Sequence, residues 1–320
     1  MNDSVRRGGL AAMISGLRNA AQWRLLLWWL LALWVPTLLV ALPIWSALQG
    51  LWGQSPQAAA IAAGKDLPLF ADAVVGLGES MGGIGVAGLF ALTLTLLLSP
   101  WLAGMVVASI RAGRKLRMGE LLHGGFAEYG RMFRSLLWSI VPLGVAIGLG
   151  MAAIHLGTKD ADEAILASDT ERGELIGTIA LIVLFVFAHM GVEAGRAWFG
   201  ADAGLRSALR AWWRGFKLVL RRPLASLIVY LGTSLFGYVV AALIGLWRFN
   251  VGGAGFGGFL LGMLLTQLAI VFLAWGRIGR LYGFAELAGA KPSQAAAAPA
   301  ATNTDAFLAM QQTEPAGAGA

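Results

Sequence analysis

The sequence predicts an all-α polytopic membrane protein, with six transmembrane helices and interfacial amphipathic helices on the cytoplasmic side. Three observations carry that prediction. Hydrophobic residues make up 58% of the 320 positions and charged residues only 13%, about half the ~25% usual in soluble domains. Six apolar stretches are long enough to cross a hydrocarbon core of ~30 Å, which takes roughly 20 helical residues. Lys and Arg fall twenty on one side of these stretches and four on the other. Positive residues stay on the cytoplasmic side, so the split places both termini there.

The elements follow in order. The first span covers 25–48 and holds Trp28, Trp29, Trp34 and Trp45. It exceeds the ~7–15 apolar residues of a signal peptide. The others cover 86–110, 135–156, 175–198, 224–247 and 257–275. Pro36, Pro43, Pro100 and Pro142 fall within or at the ends of spans, where neighbouring helices can satisfy the backbone groups they free. The domain reading is a cytoplasmic amphipathic segment (1–24), a six-helix transmembrane domain (25–287) and a disordered cytoplasmic tail (288–320). The tail is rich in Ala, Pro, Gln and Thr and cannot offset its ordering entropy by burial. On the outer side, the acidic loop 157–174 carries Asp160, Asp162, Glu163, Asp169, Glu171 and Glu174. With no His nearby it reads as a solvated loop.

The chain has no cysteine, which excludes disulfides and thiol chemistry. A net charge of +7 on a chain of this kind points to anionic headgroups rather than nucleic acid. The connector 204–222 shows this most clearly. Leu205, Ala208, Leu209, Trp212, Phe216, Val219 and Leu220 recur at helical spacing. Arg206, Arg210, Arg214, Lys217 and Arg221 form the opposite face. Such a helix lies in the membrane interface. The expected lipid contacts are Arg206, Arg210, Trp212, Trp213, Arg214, Lys217, Arg221 and Arg222. Weaker versions precede spans 3 and 1, with Phe126, Tyr129, Arg131, Phe133 and Arg134 in one and Leu10, Met13, Ile14, Leu17 and Arg18 in the other. The chain therefore reads as a loose threefold pattern of amphipathic helix, span out and span back.

These connectors carry a resemblance. Arg206-Ser-Ala-Leu-Arg-Ala, then Val219-Leu-Arg-Arg-Pro223 leading into a span with Tyr230, the preceding Glu193-Ala-Gly-Arg196, and Phe126-Ala-Glu-Tyr129-Gly-Arg131-Met-Phe133-Arg134 together resemble a group of bacterial multi-span inner-membrane proteins. Some of these are similar to the membrane domain of glycerophosphodiester phosphodiesterases. The likeness covers roughly 121–231. It implies a multi-pass protein of the bacterial inner membrane, and it implies no catalytic residues.

Few residues offer chemistry. His189 and Glu193 are four apart on span 4, with Arg196 three further on, so the three share a face. Ionisable groups inside a membrane are functional candidates, and His with Glu could bind a metal or relay protons. The competing reading is an ion pair in the last turns of the span. It is favoured, because a metal site needs three or four ligands and His123 and His155 are not placed to complete one. Gln267 and Thr266 on span 6, with Thr93, Thr95 and Ser99 on span 2, could line a polar path, although such residues more often bond between helices. Gly83-Ile-Gly85-Val-Ala-Gly88 and Gly253-Ala-Gly255-Phe-Gly257-Gly258 match a dinucleotide fingerprint. That fingerprint needs a preceding strand, and both stretches open membrane helices. Gly144/Gly148, Gly191/Gly195 and Gly258/Gly262 have the spacing of close helix packing. The expected function is therefore non-enzymatic and cofactor-free, with the basic connectors engaging anionic lipid or a protein partner. A transporter or channel component using His189, Glu193 and Gln267 is the alternative, and a lipid-modifying enzyme the third reading.

Overall fold

A computed structural model of the chain describes residues 8–58, 67–159, 167–251 and 255–290. They form nine helices: α1 (Gly9–Ala20), α2 (Trp23–Trp52), α3 (Leu67–Gly76), α4 (Met81–Ala112), α5 (Met118–Gly157), α6 (Ala167–Ala201), α7 (Ala208–Arg221), α8 (Pro223–Asn250) and α9 (Gly255–Leu287). No strand occurs among the described residues. Six helices, α2, α4, α5, α6, α8 and α9, are long and apolar enough to cross a membrane. Their surfaces are covered with large apolar side chains such as Leu89, Phe90, Ile140 and Leu246. Contiguous apolar surface on that scale is foreign to a protein in water and native to one in lipid. The chain is an all-α polytopic membrane protein. The tail beyond residue 290 and the acidic positions Asp160, Asp162 and Glu163 lie outside the described residues.

The helices outrun the apolar stretches that announce them. The longest, α5, has 40 residues and so extends about 60 Å. The connector before span 3 is consequently not a separate interfacial helix but the first half of α5. Nothing between Met118 and Ser135 breaks a helix, and Glu120 accepts the Arg117 backbone N–H at 2.7 Å to secure its start. The connector before span 5 does separate, as α7, because Pro223 occupies the first turn of α8. Proline is suited to a helix start and cannot continue a preceding helix. A short helix, α3, and the 3-10 turn Leu77–Ser80 lie in the link between α2 and α4; the hydropathy pattern does not announce them.

The threefold pattern has a packing counterpart. Each connector places a glycine against a returning span, where the absent side chain lets the helices approach closely. Gly16 of α1 meets the backbone of Gly279 and Gly283 on α9, Gly125 of α5 meets Trp101 and Met105 on α4, and Gly215 of α7 meets Gly191 and Gly195 on α6. Four residues before each of these glycines stands a fully buried residue, Ala12, Leu121 and Ala211 respectively. Of the glycine pairs named from spacing, Gly191/Gly195 is therefore a packing surface. Gly144 and Gly148 instead face open space, since regular spacing does not say which face meets a neighbour. The core lies toward the Lys/Arg-rich ends of the spans, here called the basic side, where Met105, Leu121, Met132, Phe199, Leu281 and Phe284 are fully buried.

Candidate functional site

Three helices converge on a buried cluster of charge. On α6, His189, Glu193 and Arg196 follow one another at i, i+4 and i+7, one stripe of the helix. On α9, Arg277 and Arg280 are three apart, and α8 contributes Tyr230 and Ser234. The Glu193 carboxylate is buried, with Oε1 2.8 Å from Arg196 Nη1 and Oε2 3.2 Å from Arg280 Nε. Arg280 also donates to Ser234 Oγ at 3.0 Å and lies over the Tyr230 ring, 5.0 Å from its centroid. His189 Nδ1 is 2.9 Å from the Tyr230 hydroxyl, which ties α6 to α8. Arg277 lies over the Trp29 ring at 5.5 Å and 3.5 Å from Ser99 Oγ.

The charges do not cancel. Glu193 forms the cluster's ion pairs with Arg196 and Arg280, and Arg277 has no carboxylate partner among the described residues. Three guanidiniums against one carboxylate leave two positive charges in excess. Arg277, without a carboxylate, and Arg280, which shares Glu193 with Arg196, both face a cavity of about 860 Å³ bounded by α2, α4, α6, α8 and α9. His189, Tyr230, Thr233 and Ser234 share its floor with them. Above the floor the walls are largely apolar, formed by Leu33, Leu92, Phe185, Ile270 and Leu273 among others. The volume lies in the range of about 300–1,000 Å³ typical of ligand sites, and such sites combine apolar walls with a few placed polar groups.

The structure thus joins His189, Glu193 and Arg196 as their spacing predicts, but the pair is not an exposed interfacial one. Glu193 is only 1% exposed. It is enclosed because α9 supplies a second arginine. Gln267 is not part of the site. Its Oε1 accepts the Trp34 indole N–H at 2.8 Å and pins α9 to α2. Thr93 and Thr95 donate to carbonyls one turn back in their own helix, and Thr266 accepts from Arg248. Ser99 alone of the proposed polar path touches the cluster, through Arg277. No group of three or more potential metal ligands occurs among the described residues. Sequence reading missed Arg277 and Arg280 as site residues, because the last apolar stretch was ended at Trp275 and they counted only as topology markers. The signal lay in Trp275-Gly-Arg-Ile-Gly-Arg280, two arginines one turn apart, each preceded by a glycine that lets a neighbouring helix close in.

The expected lipid contacts divide. Arg206, just before α7, and Arg210, Trp213, Lys217 and Arg221 on it are exposed, and Lys217 Nζ lies 5.2 Å from the Trp213 ring centroid. Arg222 is half-buried at the α7–α8 junction. Trp212 turns inward, edge-on to Trp138 at 5.8 Å and stacked with Phe216 at 5.4 Å. Arg214 bonds Asp202 at 2.6 Å and lies over Trp198. The Arg214 hydrogen bond, helped by the Gly204 backbone N–H, holds the Asp202 carboxyl below its ordinary pKa. Elsewhere on the basic side, Glu128 is buried between Arg111, 2.6 Å away, and Arg131, 3.2 Å away.

No family model, characterised protein or solved structure matches the chain.

Proposed function

We propose that this membrane protein is a non-enzymatic binder of an anionic group, held at the floor of its intramembrane cavity by Arg277 and Arg280. A single observation carries this reading: a cluster of three guanidiniums and one carboxylate turns Arg277, which has no carboxylate partner among the described residues, and Arg280 toward a cavity. An unpaired charge taken out of water costs several kcal/mol, so a fold that keeps Arg277 without a carboxylate beside a cavity is arranged for a counter-charge. Guanidiniums suit phosphate and carboxylate groups, which they can grip with two parallel hydrogen bonds. In this reading the protein sits in a bacterial inner membrane with its basic side and both termini in the cytoplasm. The likeness of its connectors to the glycerophosphodiester phosphodiesterase membrane domain is one of architecture alone.

The test is ligand-linked stability of the purified protein. Glycerol phosphate, added to about a hundred times its dissociation constant, should stabilise the fold by ~2.7 kcal/mol, and Arg277→Gln should abolish that gain. No stabilisation of the parent protein by any phosphate or carboxylate compound would overturn the reading.

A second reading is favoured by the outer face of α7. Leu209, Trp213 and Leu220 are exposed beside Arg210, Lys217 and Arg221. That mixture suits the headgroup boundary of an anionic leaflet, where each cation contributes about 1 kcal/mol. A peptide of residues 204–222 should bind anionic vesicles and release as salt rises. Equal affinity for neutral vesicles would remove the electrostatic part.

A further inference from the structure

We infer that the ligand of this cavity is an anionic lipid, with its headgroup on Arg277 and Arg280 and an acyl chain along the apolar wall, leaving between α6 and α8. This assignment rests on the anion-binding reading above and adds the chemistry of the rest of the ligand.

The wall above the floor suits hydrocarbon. Leu33, Leu92, Phe185, Ile270 and Leu273 dominate it, and the Thr37 and Thr95 hydroxyls on it bond back to their own helices through the carbonyls of Leu33 and Ala91. A small hydrophilic anion would cross this apolar passage without partners, whereas an acyl chain fills it.

The cavity also has a side opening. His189 and Tyr230 bridge α6 and α8 at the floor. Farther from the basic side, Phe185 on α6 and Tyr238 on α8 line the same cavity and are 37% and 67% exposed. Both lie inside helices long and apolar enough to span the membrane, so the exposed cavity wall they form faces lipid chains, not water.

The polarity of the cavity matches one leaflet. Its cationic end lies toward the basic side and its apolar end toward the middle of the bilayer. A lipid of the basic-side leaflet already has its headgroup and chains in that order, so it can slide in sideways without turning over. The guanidiniums supply the selection between headgroups. Chains contribute little to it, because they exchange one hydrocarbon surround for another.

The experiment uses the full chain in nanodiscs. The absence of native cysteines allows a fluorophore to be attached at a single site, Leu33→Cys, inside the cavity. Phosphatidylcholine discs receive small fractions of either phosphatidylglycerol or phosphatidylcholine brominated at mid-chain. The brominated phosphatidylglycerol should quench about fivefold more effectively per molecule, the factor that one cation beside an anionic headgroup contributes. Arg277→Gln should bring it down to the phosphatidylcholine level. The headgroup comparison in the parent chain needs no charge variant, so misfolding of Arg277→Gln cannot conceal the answer. Equal quenching by the two lipids, or none by either, overturns the lipid assignment. If glycerol phosphate still stabilises the protein in that case, anion binding survives and only the lipid falls. If neither ligand acts, both fall together.

Discussion

Two carboxylates in this molecule are each buried between two arginines, and the two clusters do different things. Glu128 lies between Arg111 and Arg131, on helices α4 and α5. Further guanidinium donors there find backbone carbonyls at the end of α6 and the link after it: Arg111 reaches Phe199 O at 2.7 Å, and Arg131 reaches Ala203 O and Leu205 O at 3.3 and 3.4 Å, while Arg111 Nε is buried without a partner. Cations at a helix C-terminus also meet the negative end of its dipole. None of these three side chains lines the cavity, and they work as a clamp joining three helices. Glu193 holds Arg196 and Arg280 by similar bonds, but Arg277 adds a third cation and no helix end closes the set. What remains of its positive charge faces a cavity. Function in such a protein is therefore read from the charge the fold turns toward a cavity, not from where buried charge occurs.

The comparison can be broken most forcefully at Glu193. Glu193→Ala leaves Arg196 and Arg280 without their shared counter-charge and should destabilise the protein by roughly 3–5 kcal/mol, the cost of removing one partner from a buried pair. Thermal unfolding in detergent measures it. Glu128→Ala should cost less, about 1–3 kcal/mol, because Arg111 and Arg131 are 28% and 22% exposed and can turn toward solvent. A larger loss at Glu128 than at Glu193 would reverse the assignment of clamp and site.

Arg277→Gln sharpens the contrast from the other side. It removes a cation with no carboxylate partner among the described residues, so the unliganded fold should be at least as stable as the parent while anion-linked stabilisation disappears. Equal loss of both would make Arg277 a structural residue. Orientation is tested by impermeant thiol labelling of Ala127→Cys and Lys159→Cys, which should react from opposite faces of the membrane. Labelling from the same face would dismantle the basic-side assignment of both clusters.

The smallest expected effect is at Asp202, where the pair with Arg214 is half-exposed. Its carboxyl is held below the ordinary value by the Arg214 hydrogen bond, so the folded state favours the ionised form. The pair should add stability above the unfolded carboxyl value of about 3.9, and the gain should fade as pH drops through the lower folded value. Asp202→Asn should flatten that acid limb and change little at neutral pH. An unchanged acid limb would show that Asp202 is not its source.

Composition, apolar length and charge asymmetry were enough to read the class, the six spans and which ends of them share a side, because each depends on residue type and chain position alone. Spacing along α6 was enough to group His189, Glu193 and Arg196, since a helix puts every third and fourth residue on one face. The threefold pattern of connectors was legible for the same reason. The tertiary structure decided what meets that face. It brought Arg277 and Arg280 across from α9 and Tyr230 from α8. It gave Gln267 to Trp34, and it turned Trp212 into the α5–α7 packing while leaving Trp213 outside. It also joined Gln22, Ser109 and Tyr282 in a closed ring of hydrogen bonds at 2.9, 2.8 and 3.3 Å. Periodicity could not foresee that ring, whose members lie 87 to 260 residues apart. Local pattern decides which side of a helix is polar or apolar. Which polar groups end up together depends on helix crossings, and here glycines scattered over several helices set them.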